Sequence, residues 1–226
     1  MKKIIIAACM LASLMMLAAC TESVSDSQLD MKKGLAYKAG SETPFTGEVV
    51  GKYEDGQMRI KGLLIDGRKT GKWTSWYTNG QKSGEGVLKN GEKDGIWVAW
   101  HDNGQKASEG SLDEGDKLGM WVFWDEKGEK KKEEKYTGGE IDRSTIFGVG
   151  DNKKFEEIYT NDKLAQRTFW HDNGQKMNEM FFKDGLKDGL VASWHENGKK
   201  RSEAKYENGK MVGSEKMWDK DGVLQK

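Results

Sequence analysis

The sequence predicts an all-β protein, an elongated antiparallel meander of tandem β-hairpin repeats. Three observations lead there: a 24-residue internal period, two turn signals in every period, and aromatic residues at fixed places within it. Internal repetition decides fold class before any local propensity does. With the glycines in register, units begin at Gly47, Gly71, Gly95 and Gly119, and again at Ala165, Gly189 and Gly213. Between Arg143 and Leu164 lies a degenerate copy, two residues short, and the copy from Gly213 is only half a unit. The array therefore holds about seven units over residues 47–226.

The first turn signal occupies unit positions 9 and 10, as in Asn79-Gly80, Asn103-Gly104, Asn173-Gly174 and Asn197-Gly198. The second occupies positions 20 and 21, as in Asp66-Gly67, Asn90-Gly91, Asp184-Gly185 and Asn208-Gly209. Asn-Gly and Asp-Gly tolerate positive φ at both residues and favour type I′ hairpin turns. Two such turns per unit imply two strands per unit. Glycines at this density exclude helices, because each costs about 1 kcal/mol in a helix interior. At about 4.8 Å per strand, seven units form a sheet on the order of 65–70 Å wide.

The chain is rich in Gly (29) and Trp (9) and holds a single Pro, so aromatic rings must carry most of the burial. Tryptophan recurs at position 6, as Trp76, Trp100, Trp124, Trp170, Trp194 and Trp218. A second one stands at position 3 in three units, as Trp73, Trp97 and Trp121. In a regular pleat positions 3 and 6 face opposite ways, so either both faces carry aromatics or a bulge intervenes. This stripe is at once the core of a thin sheet and the candidate binding surface. Lys at position 12 and Glu at position 15 also recur, and odd spacing on an extended strand sends them to opposite faces. His101, His171 and His195 share position 7. Equivalent positions in adjacent units lie about 9.6 Å apart, whereas zinc takes ligand nitrogens at about 2.0–2.1 Å, so these are repeat residues rather than a metal site.

Upstream of the array, residues 1–19 have the order of a secretory signal: Lys2 and Lys3, the apolar run from Ile4 to Leu17, then Ala18 and Ala19. Cys20 follows Leu17-Ala18-Ala19, an ending that resembles the bacterial lipobox and implies lipid attachment at Cys20. With Cys9 removed and Cys20 acylated, no thiol remains for a disulfide, a metal or a nucleophile. Residues 20–46 read as the lipidated cysteine followed by a flexible tether, polar and without periodicity. Losing Lys2 and Lys3 takes the charge from 37 minus 37 to 35 minus 37, near −2, which argues against nucleic acid. No catalytic spacing is present. Gly67-Arg68-Lys69-Thr70-Gly71-Lys72 is one residue short of a phosphate loop, with Trp73 in place of the hydroxyl residue. The expectation is a protein without enzymatic activity and without a cofactor.

At Tyr206-Glu-Asn-Gly209-Lys-Met-Val-Gly213, and at Leu88-Lys-Asn-Gly91-Glu-Lys-Asp-Gly95-Ile-Trp97, the unit resembles the MORN repeat. It is most similar to the bacterial variant in YwqK-type antitoxin proteins, and the resemblance runs from about Gly47 to the C-terminus. That resemblance implies a β-hairpin array acting as a binding scaffold. The expectation is a lipoprotein of the cell envelope, held to a membrane (the outer one in a Gram-negative host), whose array binds a protein partner. Peptidoglycan or another glycan, and a toxin neutralised by an antitoxin or immunity protein, are the alternative partners.

Overall fold

A computed structural model describes residues 22–225; Cys20 and the leader expected over residues 1–19 lie outside the described residues. The chain forms one 18-stranded sheet with a two-stranded hairpin beside its N-terminal end. After β1 (Ser23–Ser25), the hairpin is β2 (Leu29–Lys32) and β3 (Leu35–Lys38). The first hairpins of the array are β4 (Gly47–Lys52), β5 (Met58–Ile65), β6 (Arg68–Trp76), β7 (Lys82–Lys89), β8 (Glu92–Trp100) and β9 (Lys106–Asp113). The middle is β10 (Asp116–Trp124), β11 (Lys130–Thr137), β12 (Glu140–Phe147), β13 (Lys153–Thr160) and β14 (Lys163–Trp170). The last part is β15 (Lys176–Lys183), β16 (Leu186–Lys187), β17 (Gly189–Trp194), β18 (Lys200–Glu207), β19 (Lys210–Trp218) and β20 (Leu224–Gln225). From β4 onward each strand pairs antiparallel with its successor in the chain, except that β16 and β17 are two parts of one interrupted strand and both pair with β15, and this is the meander expected from the repeat.

Two kinds of turn alternate. Asp66-Gly67, Asn90-Gly91, Glu114-Gly115 and Asn208-Gly209 have positive φ at both residues, the signature of type I′. The Asn-Gly pairs at positions 9 and 10 do not. They sit in five-residue loops where only the glycine has positive φ, as at Gly80 (81°) and Gly104 (82°). In the loop from Tyr77, its N–H donates to the Gln81 carbonyl at 2.8 Å. The Asn79 side chain accepts from the Gln81 N–H at 3.0 Å. Asparagine is thus chosen here for an Asx bond and not for a left-handed backbone.

Bulges set the rest of the geometry. Gly86 pairs with Trp97 and Val87 with Asp94, so Gly95 and Ile96 bulge out of the ladder, and Gly95 takes φ 80°. At the two ends of the degenerate copy the same bulge holds one residue. Lys135 pairs with Arg143 and Tyr136 with Ile141, leaving Asp142; Ile158 pairs with Gln166 and Tyr159 with Leu164, leaving Ala165. Both missing residues are therefore lost from bulges, and every strand keeps its pairing.

The core is a thin layer on one face, comprising Val24, Ala36, Phe45, Val49, Leu64, Trp73 and Leu88, with Leu29, Ile60 and Trp97 packed against it. Part of this layer comes from residues 22–46, where the sequence suggested a flexible tether. That expectation is corrected. β1 runs parallel to β4, and the β2–β3 hairpin lies against the core with Ala36 3% exposed. Gly67 N–H donates to the Phe45 carbonyl at 2.8 Å, and Ala36 N–H to the Gly67 carbonyl at 3.0 Å. Four apolar residues, Val24, Leu29, Ala36 and Phe45, are too few to show a period yet suffice to close the sheet end. The hairpin turn, Lys33-Gly34, has type I′ signs (φ 51° and 78°) without the Asn-Gly signal.

The indoles at position 3 lie flat on glycines of the neighbouring strand. A Cβ added to Gly62, Gly86 or Gly110 would come within 2.1–2.2 Å of the rings of Trp73, Trp97 or Trp121. Gly110→Ala should therefore destabilise the fold by about 1–3 kcal/mol through overpacking. Gly84→Ala, whose Cβ meets the rotatable Ser75 hydroxyl at 3.0 Å and the Val98 carbonyl at an ordinary 3.9 Å, should cost less. Urea unfolding of the two variants checks the order.

Candidate functional site

Both faces of the sheet carry tryptophan. On β6 the pleat is unbroken from Trp73 to Trp76, so the two rings point opposite ways. Trp73, Trp97 and Trp121 lie on the core face, where each Nε1–H donates to a backbone carbonyl: Leu63 (3.2 Å), Val87 (3.0 Å) and Ser111 (3.0 Å). Each also has a lysine amine over its ring, Lys69 at 4.7 Å, Lys93 at 4.3 Å and Lys117 at 4.9 Å. The second row, Trp76, Trp100, Trp124, Trp170, Trp194 and Trp218, is half-buried on the opposite, open face. Here Lys82, Lys106, Lys153, Lys176 and Lys200 stand 5.2–5.7 Å from the rings of Trp100, Trp124, Trp170, Trp194 and Trp218.

The position-12 lysines and position-15 glutamates share this open face, contrary to the alternation expected from their spacing. Lys82–Glu85 (2.6 Å), Lys130–Glu133 (3.0 Å), Lys153–Glu156 (3.1 Å) and Lys176–Glu179 (2.6 Å) are ion pairs, and Lys106–Glu109 is another. The cause is a bulge. Ser75 pairs with Gly84 and Trp76 with Lys82, so Ser83 is an extra residue and shifts the parity of everything before it. Lys72 also pairs with Glu85 at 2.8 Å, and hydrogen bonds from Lys72 and Lys82 hold that carboxyl below its usual range.

Position 7 is structural. Tyr53 and Tyr77 donate their hydroxyls to the Trp76 and Trp100 carbonyls at 2.6 and 2.7 Å. His101, His171 and His195 contact the Trp124, Trp194 and Trp218 carbonyls through Nε2 at 2.9 Å. A carbonyl only accepts, so Nε2 carries the proton in all three. Asn79, Asn103, Asn173 and Asn197 add a parallel rung, each donating Nδ2–H to a carbonyl of the next loop at 2.6–2.7 Å. Asp125 and Asp219 replace the ring at position 7 and turn back into their own loops, accepting from Lys127 and Glu129, and from Asp221 and Val223. The loop ladder consequently breaks after Asp125, before the degenerate copy, and stops at Asp219.

In mid-array the core face becomes polar. Glu134, 8% exposed, takes the place of Gly110 and accepts from Lys132 (2.8 Å), Tyr136 (2.7 Å) and Lys117 (3.3 Å). Burial pushes its carboxyl up, but those donors and the two lysine charges prevail and hold it low. One hairpin on, Glu157 accepts from the Tyr159 hydroxyl at 2.7 Å and from Arg167 Nε at 2.8 Å. Burial, reinforced by that hydrogen bond, pushes the Tyr159 hydroxyl up to about 12.

One exposed apolar group lies outside the expected site residues. On the open face of β7–β10, Val87 (44%), Ile96 (61%), Leu118 (45%) and Met120 (42%) stand exposed as large apolar side chains. Ile96 and Leu118 flank Ser111 on either side in the ladder, and Val87 neighbours Asp94. The aligned units give only a partial signal: position 2 is apolar in consecutive units here, as Ile96 and Met120, against Glu48, Lys72, Gln166 and Ser214, but Leu190 is apolar there too, as are Leu63 and Phe181 at position 17 and Val212 at position 24. The positions that stayed hidden are those of the bulge, because the face of a bulged residue does not follow from alternation.

A family model described as MORN repeat variant matches residues 69–90, 93–113 and 187–210. These are the hairpins β6–β7, β8–β9 and β17–β18, each closed by a five-residue loop. No curated protein matches the sequence. Among solved structures, the crystal structure of a GtfA/B complex bound to UDP and GlcNAc aligns at 14% identity and a TM-score of 0.18. That alignment covers 54% of this chain and 22% of the other, so the chain spans about a fifth of that protein's length. A likeness of this size carries no argument about fold or function.

The tyrosine–carboxylate pair generates a pH prediction. The folded state holds the Tyr159 proton to about 12, against an ordinary value of 10.0. Its contribution is therefore full below pH 10 and is lost as pH rises through the folded value. Wild type should lose on the order of 1–2 kcal/mol between these limits, and Tyr159→Phe should not show this component. Denaturant unfolding across the alkaline range measures it.

Proposed function

We propose that this protein is a non-catalytic binding scaffold, held to a membrane through Cys20, whose open face at β7–β10 receives a protein partner. The observation that carries the reading is the exposed apolar group Val87, Ile96, Leu118 and Met120. A soluble face seldom displays such a group without use for it. It has an apolar centre and a rim of both charge signs, from Lys106–Glu109, Lys130–Glu133 and Lys72–Glu85. An apolar centre inside a mixed polar rim is the anatomy of a protein–protein interface. An anionic membrane surface would instead favour a rim of one sign.

The repeat family supports a scaffold, since MORN-variant hairpins match at three places in the array. The tryptophans favour a protein over a glycan. Stacking a sugar or a quaternary ammonium requires an open ring face, and the amines of Lys82, Lys106, Lys153, Lys176 and Lys200 already stand over five of the six open-face rings, all but Trp76. The order from Glu22 onward brings the β1 end of the array within a few residues of Cys20. An acylated Cys20 would then present the array close to the lipid surface and not on a long leash.

Crosslinked co-purification of the full-length protein from its host's membranes, with mass spectrometry of the retained material, tests the reading. Wild type should retain one dominant protein. Ile96→Glu combined with Met120→Glu should reduce that capture at least about tenfold, while unfolding free energy stays within about 0.5 kcal/mol because both side chains are already exposed. Retention of the same protein at wild-type levels by this variant would refute the proposal.

A further inference from the structure

The β2–β3 hairpin covers the sheet end incompletely and leaves a groove of about 490 Å³ beneath it. Pockets of about 300–1,000 Å³ suit small ligands. Its apolar wall is Leu29, Met31, Val49, Ile60, Leu64 and Trp73. Its two ends differ in charge. At one end Arg59 is neutralised by Asp26. At the other stand Arg68 and Lys69, and among the described residues neither makes an ion pair. The acid nearest in sequence, Asp66, is turned to Thr46, whose hydroxyl accepts from the Asp66 N–H at 2.9 Å. Lys69 instead places its amine over the Trp73 ring at 4.7 Å.

We propose that this groove is a binding site for an amphiphilic monoanion of the fatty-acid class. The alkyl chain lies along Leu29, Met31 and Ile60, the wall residues with free surface at the edge of the hairpin, and the carboxylate is met by Arg68 and Lys69 at the β5–β6 turn. An apolar trough with an uncompensated cationic end selects this chemistry. A neutral lipid would gain nothing from the two exposed cations, and a cationic amphiphile would be repelled by them. Met31, 68% exposed on the outer lip, is positioned to close over the chain. The site lies on the core face, opposite the face proposed for the protein partner, so the two readings stand or fall separately.

The test is a fluorescence titration of the purified full chain with cis-parinarate, followed by displacement. Myristate should displace the probe and dodecyltrimethylammonium should not. Arg68→Ala combined with Lys69→Ala should weaken parinarate at least about tenfold, the scale of losing charge-assisted hydrogen bonds. Met31→Asp, an exposed change that does not threaten folding, should weaken it as well, and Ile96→Glu on the open face should leave it unchanged. Equal displacement by the cationic amphiphile, or undiminished affinity in the Arg68/Lys69 variant, would overturn the proposal, as would loss of binding in Ile96→Glu.

Discussion

A sheet one layer thick has nothing to pack against, and each hairpin must bury its own surface with side chains laid flat upon it. The solution is an indole lowered onto a neighbouring glycine, as Trp97 on Gly86 and Trp121 on Gly110. The ring is tied to the backbone through Nε1–H and covered by an aliphatic lysine stem and its amine. Such a ring buries about 150–250 Å² without a second layer, and the lysine stem adds apolar cover while its charge stays in water. The glycine is indispensable because any Cβ would occupy the plane of the ring. Where the glycine is missing the tryptophan is missing too. Glu134 faces Ser144, and Glu157 faces Arg167, with an ion pair standing where the aromatic contact would be. A half-buried ion pair offsets its desolvation only in part, so the middle of the array is the less stable stretch, and since units touch only their neighbours that weakness stays local.

Much of this was legible before any coordinates. The period, the strand count and the meander all follow from the glycine register, and the second turn signal takes the expected conformation at Asp66-Gly67 and Asn90-Gly91. What escaped has one physical origin. Alternation assigns faces only between bulges, and this chain places a bulge near each end of its strands. Ser83 brings Lys82 and Glu85 to one face although their spacing says otherwise. The Asn-Gly signal has two uses, a left-handed pair in one turn and an Asx bond in the other, and the dipeptide alone does not tell them apart. Residues 22–46 escaped because Val24, Ala36 and Phe45 are scattered through polar sequence and form no period, though each packs on the first repeat.

The same bulges explain why a degenerate copy is tolerated. A deletion inside a strand would reverse every following side chain. A deletion from a two-residue bulge leaves a one-residue bulge and the pairing beyond it intact, as at Asp142 and Ala165. Glycine is then no longer required, and Arg143 and Ala165 stand at the unit starts without positive φ. The loop edge responds differently, since its rungs need a donor at position 7 that reaches the next unit. Asp125 has no proton to offer a carbonyl and folds its carboxylate back onto its own N–H groups. The loops thus form two blocks joined by a continuous sheet.

This division bears on where binding is best placed. An interface gains affinity when its platform is already ordered, because less freedom is lost on association. The exposed apolar residues Val87, Ile96, Leu118 and Met120 sit on β7, β8 and β10. Those strands carry, or lie beside, the Gly86–Trp97 and Gly110–Trp121 contacts on their other face. Within the first block the Gly–Trp contacts and this apolar group lie on opposite faces of the same strands, each strand being clamped from one side and displayed from the other. The second half also exposes large apolar side chains, among them Leu186, Leu190, Met211, Val212 and Met217, but among its described glycines none has an indole laid flat upon it. A partner that needs a stiff, flat surface would find it in the first block, and selection for that surface would retain the Gly–Trp contacts there while letting them lapse elsewhere.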